Sequence, residues 1–575
     1  MRKTKIVCTI GPTSESKEMV IKLVKAGMNV ARLNMSHSTQ QLHAKRIAII
    51  REVAKELGVP IGILADLQGP KIRIGTLKEK VILEPGNQFI LTTRNVPGNS
   101  VAVSVSLQEL PESVNKGQTI LIDDGLLELR VDQVENTDIY TTVIRGGELK
   151  DNKGINLPNA SIKTSSITQK DISDLEFAVK QDVDMIALSF VRSAHDVIEL
   201  RSIMEEFGGS LPIISKIEKH EAITNIDEII AASDGIMVAR GDLGIEIPIE
   251  QVPIVQKMII EKCNQQAKPV ITATQMLDSM IRNPIPTRAE ATDVANAVFD
   301  GTDALMLSGE TAFGQYPLEA VQTMARIAEY AEKTLIYKAT IAEKKIYTKS
   351  TITDAIALSA HESAKTLGAD CILTATQSGY TARKISKYKP QIPVVAVTTS
   401  YKVVNQLALS YGVIPLQIKQ CNDINELVNE AIAIGKVNGC IHDGDLLVIT
   451  AGILAGVTGG TNVMRIYVVA QEIAQGIGFG EGVVRGIIGK RQSVELSPNT
   501  IIVADDIAQI EGTKPKAVIT GESSISAPII HYCREHEIPV IGGVTVNEIN
   551  VTGQEVTLDI LRGTIYRGAV HLPFE

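Results

Sequence analysis

Eight short β-rich runs, most of them separated by amphipathic helical periods, recur through the first 330 residues of the chain: Lys5–Ile10, Asn29–Met35, Ile61–Leu67, Met185–Phe190, Pro212–Ile217, Gly235–Ala239, Pro269–Thr274 and Ala304–Leu307. Parallel neighbours need a crossover, and a helix supplies it, so this alternation predicts a parallel sheet. Eight such units make a closed (β/α)8 barrel the economical arrangement. The interval between the third and fourth runs is too long for one crossover, and its texture changes to short alternating strands with Gly-Asn, Lys-Gly and Asp-Asp-Gly turns. An all-β insertion is expected there, tethered at the barrel's C-terminal rim, where it is placed to act as a lid.

At 575 residues the chain is too long for one core. A second strand and helix alternation, with runs at Cys371–Thr374, Val394–Val397, Val413–Leu416 and Leu446–Thr450, predicts an α/β domain. A glycine-rich join at Gly476 then leads to β-like runs at Thr500–Val503, Lys516–Thr520 and Pro539–Val546, read as a further small domain. The expected fold is thus α/β, a TIM barrel from 1–69 and 169–346, a lid over 70–168, an α/β domain over 347–475 and an extra domain over 476–575.

Composition removes several function classes. Net charge is −9, Trp is absent and aromatics are 3%, which disfavours nucleic-acid and anionic-membrane binding. The six cysteines show no C-x-x-C pairing, against a disulfide framework or a structural zinc site and in keeping with a reducing cytoplasm. The first apolar run is too short for a signal-peptide core and no 18-residue apolar run follows, so a cytoplasmic, non-membrane protein is expected.

Strand C-termini of such a barrel converge on one mouth. Strand two delivers Arg32, Asn34 and Ser36; strand three Asp66; strand five Lys216 and Glu218; strand six leads to Asp242, strand seven to Thr274, and strand eight to Ser308 and Glu310. Glu218 and Asp242 form a hard oxygen pair suited to Mg²⁺ or Mn²⁺, while Arg32 and Lys216 supply positive charge for a phosphoryl group. Lys216 and Glu218 project from one strand face. They need not bond each other in this reading. A lone Lys-x-Glu is also compatible with a solvated edge.

The runs Arg32-Leu33-Asn34-Met35-Ser36-His37, Ser215-Lys216-Ile217-Glu218, Ala239-Arg240-Gly241-Asp242-Leu243-Gly244, Ala273-Thr274-Gln275-Met276-Leu277 and Ser308-Gly309-Glu310-Thr311-Ala312 closely resemble the pyruvate kinase family, in the same order over about Arg2 to Gln475. The resemblance implies phosphoryl transfer from phosphoenolpyruvate to ADP in a homotetramer. It assigns the divalent metal to Glu218 and Asp242, and the transferring phosphoryl group to Lys216 and Arg32. The substrate carboxylate falls to Gly241, Asp242 and Thr274, and protonation of the enolate to Thr274 and Ser308. His37, Arg73 and Lys153 are expected at the nucleotide. A phosphorylated effector is expected at Thr376, Ser378, Gly379 and Thr381, faced by the loop Gly452–Asn462. The family's monovalent-cation site would involve Asn34, Ser36, Asp66 and the position of Leu67; Leu67 replaces a threonine and Lys71 a glutamate, so K⁺ is not expected to be required. The tail resembles a swivelling phosphohistidine domain but lacks the histidine in Thr520-Gly521-Glu522-Ser523-Ser524-Ile525-Ser526, which implies a role in assembly or stability. An enolate-forming aldolase or lyase, or an inactive sensor, are the other classes considered. Neither accounts for the lid motif together with Lys216, Glu218 and Asp242.

Overall fold

The computed structural model describes residues 2–158, 165–334, 351–452, 460–489, 499–545 and 553–570. The chain forms two compact units: Met1–Lys349 with Ser386–Lys389 and Tyr401–Pro415, and Ser350–Ile385 with Pro390–Ser400 and Leu416–Glu575.

In the first unit, strands Lys5–Thr9, Val30–Asn34, Gly62–Asp66, Met185–Leu188, Ile213–Ile217, Gly235–Ala239, Val270–Ala273 and Ala304–Leu307 close into a barrel in chain order, the first pairing in parallel with the eighth. They are buried on both faces, which is why they read as continuous apolar runs. Val7, Val30, Leu64, Met185, Ile214, Met237, Ile271 and Met306 pack together in a core cluster with Ala408 and Leu409. Those two residues belong to a segment that floors the N-terminal end of the strands. There Asn405 Nδ2 donates to Asp184 Oδ1 at 3.2 Å, the Tyr411 N–H to Asp303 Oδ1 at 3.2 Å, and Lys5 Nζ to the Val413 carbonyl at 2.7 Å. With this end closed, the C-terminal end is the open one.

Helix starts are written in the sequence: Thr168 and Thr287 each form a capping box, with Asp171 and Glu290 at the third helical position. Between strands three and four the lid builds a six-stranded sheet, mostly antiparallel, around its own core of Phe89, Leu91, Ile120, Leu129 and Ile139. Gly69, at the hinge into the lid, has φ +69, and a Cβ there would lie 2.6 Å from the Phe190 ring. Only glycine fits.

In the second unit Cys371–Ala375 pairs in parallel with Val394–Thr398 and Leu446–Gly452, and Thr461–Val468 adds an antiparallel edge strand that the sequence did not signal. The expected run at Val413 is the strand Val413–Gln417. The tail forms an eight-stranded sheet whose two edges, Glu472–Gln475 and Ile477–Phe479, are consecutive in the chain. Gly476 joins them where a Cβ would lie 2.4 Å from the Gly542 carbonyl oxygen. This sheet therefore begins at Glu472, ahead of the expected boundary at Gly476, because Glu472–Gln475 pairs with Thr564–Arg567.

Candidate active site

At the open end of the barrel, Asp66 closes strand three and is 1% exposed. Its Oδ2 accepts from Arg32 Nε at 2.6 Å, and its Oδ1 lies 3.4 Å from Lys216 Nζ. Arg32 also donates from Nη1 to Thr9 Oγ1 at 2.9 Å. Lys216 Nζ donates to Ser189 Oγ at 2.9 Å and stands 2.9 Å from Glu218 Oε1. The expectation that Lys216 and Glu218 need not bond is thus corrected: two residues apart on one strand face, their long side chains fold together. Glu218 Oε2 accepts from the Phe190 N–H at 2.8 Å.

Burial would pull the Lys216 ammonium down, but the Asp66 and Glu218 carboxylates outweigh it and hold the pKa well above the ordinary lysine value. Burial raises the Glu218 carboxyl, Lys216 opposes the rise, and the nearby Asp242 charge adds to it. Asp66 is held low, burial notwithstanding, by Lys216 and Arg32. Asp242, half-buried on the helix Arg240–Glu246, carries no hydrogen bond or ion pair among the described residues. The mouth therefore sets two cations, Arg32 and Lys216, among three carboxylates, Asp66, Glu218 and Asp242. The one excess negative charge is left on Asp242, whose neighbour Glu218 shares Lys216 with Asp66, and these two carboxylates are oxygen donors of the kind a hard divalent cation takes.

Strands six to eight supply the other wall. The Gly241 N–H, expected to face a substrate carboxylate, donates to Thr274 Oγ1 at 2.7 Å, and that hydroxyl donates to the Ala273 carbonyl at 2.6 Å. Thr274 and Gln275 have φ +66 and +52, a left-handed turn that costs energy in non-glycine residues and is typical of functional sites. Arg240 holds this turn, donating to the Thr274 carbonyl at 2.8 Å while Asp293 binds its other end at 2.7 Å. Ser308 and Leu277 donate their backbone N–H groups to the two oxygens of Glu310 at 2.7 and 3.1 Å. Glu310 thus ties strand eight to the loop after strand seven, in a structural part.

Toward the lid, Asn34 Oδ1 accepts from the Ser36 N–H at 3.1 Å. Burial lowers the His37 pKa, and Arg73, Arg32, Lys71 and Lys170 lower it further, marking a cationic cluster. Arg73 Nη1 donates to the Asn152 carbonyl at 2.9 Å, and Lys153 Nζ rests 2.8 Å from Asp123. The Leu67 side chain is in the barrel core, and its carbonyl accepts from Ser189 Oγ at 2.7 Å. Lys71 lies against Gly154 of the lid. It lines a cleft between lid and barrel with Phe190, Arg192, Lys219 and Asp242, and a neighbouring one with Asp242 and Thr274.

In the second unit, Thr381 Oγ1 is 2.6 Å from Thr461 Oγ1, Gly379 takes φ +76 before the helix Tyr380–Ser386, and Arg383 Nη2 donates to the Ser378 carbonyl at 3.1 Å. The Thr376 N–H is taken by the Val397 carbonyl at 3.0 Å. Residues 453–459 of the facing loop lie outside the described residues.

Sequence reasoning passed over Ser189, which bridges Lys216 to the strand-three turn, and Arg240, which holds the Thr274 turn. Ser189 lies within the fourth apolar run, and taking the strand-end residue there, as at the other strands, finds it.

A closed parallel barrel with charged groups from several strand ends at one mouth, covered by an inserted β lid, has the layout of a barrel enzyme with its active site at the C-terminal face. Residues 1–321 match the family described as pyruvate kinase, barrel domain, and 354–467 that described as pyruvate kinase, alpha/beta domain. The pyruvate kinase of Staphylococcus aureus (strain MRSA252) is 45% identical over 580 residues, and that of Sporosarcina psychrophila 46% identical over 583, each alignment covering 99% of both chains. The chain belongs to the pyruvate kinase family, whose members are transferases. Among the described residues no helix is long and apolar enough to cross a membrane.

Proposed function

We propose that the chain transfers the phosphoryl group of phosphoenolpyruvate to ADP, giving pyruvate and ATP. The observation that carries this reading is Lys216, a buried ammonium kept protonated by Asp66 and Glu218 beside an unpartnered Asp242. In the reaction the bond from phosphorus to the enol oxygen breaks, a bond to the terminal oxygen of ADP forms, and the enolate takes a proton at its methylene carbon. Lys216 and Arg32 face the phosphoryl group and balance the charge that develops on its oxygens. Glu218 and Asp242 would hold Mg²⁺ or Mn²⁺, which when bound neutralises phosphate and enolate charge. Thr274 holds the start of the helix Arg240–Glu246 beside the substrate through the Gly241 N–H, and its hydroxyl with that of Ser308 serves protonation of the enolate. Lys153 leaves Asp123 for the nucleotide phosphates when the lid closes, and His37 and Arg73 complete that cationic wall. Closure excludes water that would otherwise take the phosphoryl group.

Leu67 offers no hydroxyl to a monovalent cation, Asp66 is engaged by Arg32 and Lys216, and Lys71 brings a positive charge to the hinge, so K⁺ is not required. Thr376, Ser378, Gly379 and Thr381 bind a phosphorylated effector that biases a homotetramer between two states. The test is pyruvate formation from phosphoenolpyruvate with and without ADP and with and without Mg²⁺. Pyruvate formed equally well without ADP would reject kinase activity in favour of a phosphatase or lyase.

A further inference from the structure

One turn beyond Asp242 on the helix Arg240–Glu246 stands a second carboxylate, Glu246, which is 3% exposed. Its Oε1 is 2.6 Å from Nζ of Lys219, the residue that follows Glu218. Asp242 and Glu246 are four residues apart and share a helix face. The two halves of the proposed metal pair are therefore each next to one end of a buried ion pair: Glu218 by chain adjacency to Lys219, Asp242 by one helical turn to Glu246.

The helix needs such a tie. It is seven residues long, starts directly from strand six at Ala239, and has no side-chain cap at its N-terminus. A helix this short has little stability of its own. Arg240 secures its first residue to Asp293 and the strand-seven turn. Glu246 secures its last to the end of strand five. Holding a helix by packing alone would be served as well by an apolar residue, since a buried ion pair gains little net stability over one. What the pair adds is a defined distance between two elements. Among the described residues Glu246 Oε2 has no hydrogen-bond partner and lies 3.7 Å from His220 Nδ1, so the carboxylate's hydrogen-bonded hold on this region runs through Lys219.

We infer that Glu246 is a positioning residue which, through Lys219, sets the separation of Glu218 and Asp242 and so the affinity for the divalent cation. The inference rests on assigning that cation to Glu218 and Asp242. It is tested by titrating the full-length protein with Mn²⁺ in the absence of substrates, following free Mn²⁺ by electron paramagnetic resonance, for wild type, Glu246→Gln, Lys219→Met, the double variant and Glu218→Gln. Loss of a group that orients metal ligands typically costs 10–100-fold in affinity, so each single variant should bind Mn²⁺ about tenfold more weakly. The double variant should bind no more weakly than the worse single, since the pair is already broken. In steady state the Mn²⁺ needed for half-maximal rate should rise by more than kcat at saturating Mn²⁺ falls. A lowered melting temperature with unchanged Mn²⁺ affinity would reduce Glu246 to a structural role and overturn the inference; Lys219→Met decides the matter if Glu246→Gln does not fold. Wild-type Mn²⁺ binding by Glu218→Gln would instead overturn the metal assignment beneath it.

Discussion

Replacing Lys216 by methionine keeps the length and apolar stem of the side chain and removes the ammonium. That ammonium is 2.9 Å from Glu218 and 3.4 Å from Asp66, on a side chain 12% exposed. Breaking a buried ion pair from one side costs about 3–5 kcal/mol. Here Asp66 keeps its 2.6 Å bond from Arg32, and Glu218 keeps the Phe190 N–H at 2.8 Å, so the stability loss should sit at the low end, about 3 kcal/mol. Against a total of roughly 5–15 kcal/mol the variant still folds. The chemical step loses more. A single positioned group facing developing charge is worth about 2.7–4 kcal/mol, so kcat should fall by about 10²–10³. Mn²⁺ affinity should hold or improve, because Lys216 competes for Glu218 Oε1. Glu218→Gln should do the reverse and weaken Mn²⁺ binding first. Pyruvate formation at saturating Mn²⁺ and equilibrium Mn²⁺ titration separate the two. A Lys216→Met enzyme with more than about a tenth of wild-type kcat would refute the role given to Lys216, since one positioned donor accounts for at least a hundredfold.

Three further outcomes are expected. Activity should persist in K⁺-free tetramethylammonium buffer; loss of nearly all of it would reject the reading of Leu67 and Lys71. Burial, helped by Arg2, lowers the Lys5 pKa to about 7, below its unfolded value, so the unfolded chain binds the extra proton and stability falls as pH drops from about 10.5 to about 7. Lys5→Met should then gain in melting temperature relative to wild type towards pH 7 and lose most of that gain by pH 9.5, and a pH-independent difference would contradict the linkage. A chain ending at Ala470 removes the whole tail sheet and should retain phosphoryl transfer. One ending at Gln475 leaves Glu472–Gln475 without its Thr564–Arg567 partner, and size-exclusion chromatography should show it aggregating more than the shorter chain.

The barrel was legible because its strands are buried on both faces. Burial makes each a continuous apolar run, and the expected and observed limits differ by at most two residues at either end. The tail was legible only at Thr500–Val503, Ala517–Ile519 and Val540–Gly542, the parallel core of its sheet. Glu472–Gln475 and Ile477–Phe479 escaped because strands of four and three residues around a glycine leave no periodicity to count. The same division runs through the site. Strand ends in a barrel must converge, so Arg32, Asp66, Lys216, Glu218 and Asp242 could be gathered from chain position alone. What position does not give is distance across the mouth. Lys216, on strand five, reaches Asp66 on strand three past the strand between them, a contact that exists only once the sheet has closed. The hydroxyl of Thr274 meets the Gly241 N–H for the same reason, through a turn whose positive φ values no local rule predicts for Thr-Gln. A sequence names the charges a mouth will hold. How they divide into bonded pairs, and which carboxylate is left over, depends on closure. For that reason Glu246 and Lys219 are as much in need of substitution as Glu218 and Asp242 themselves.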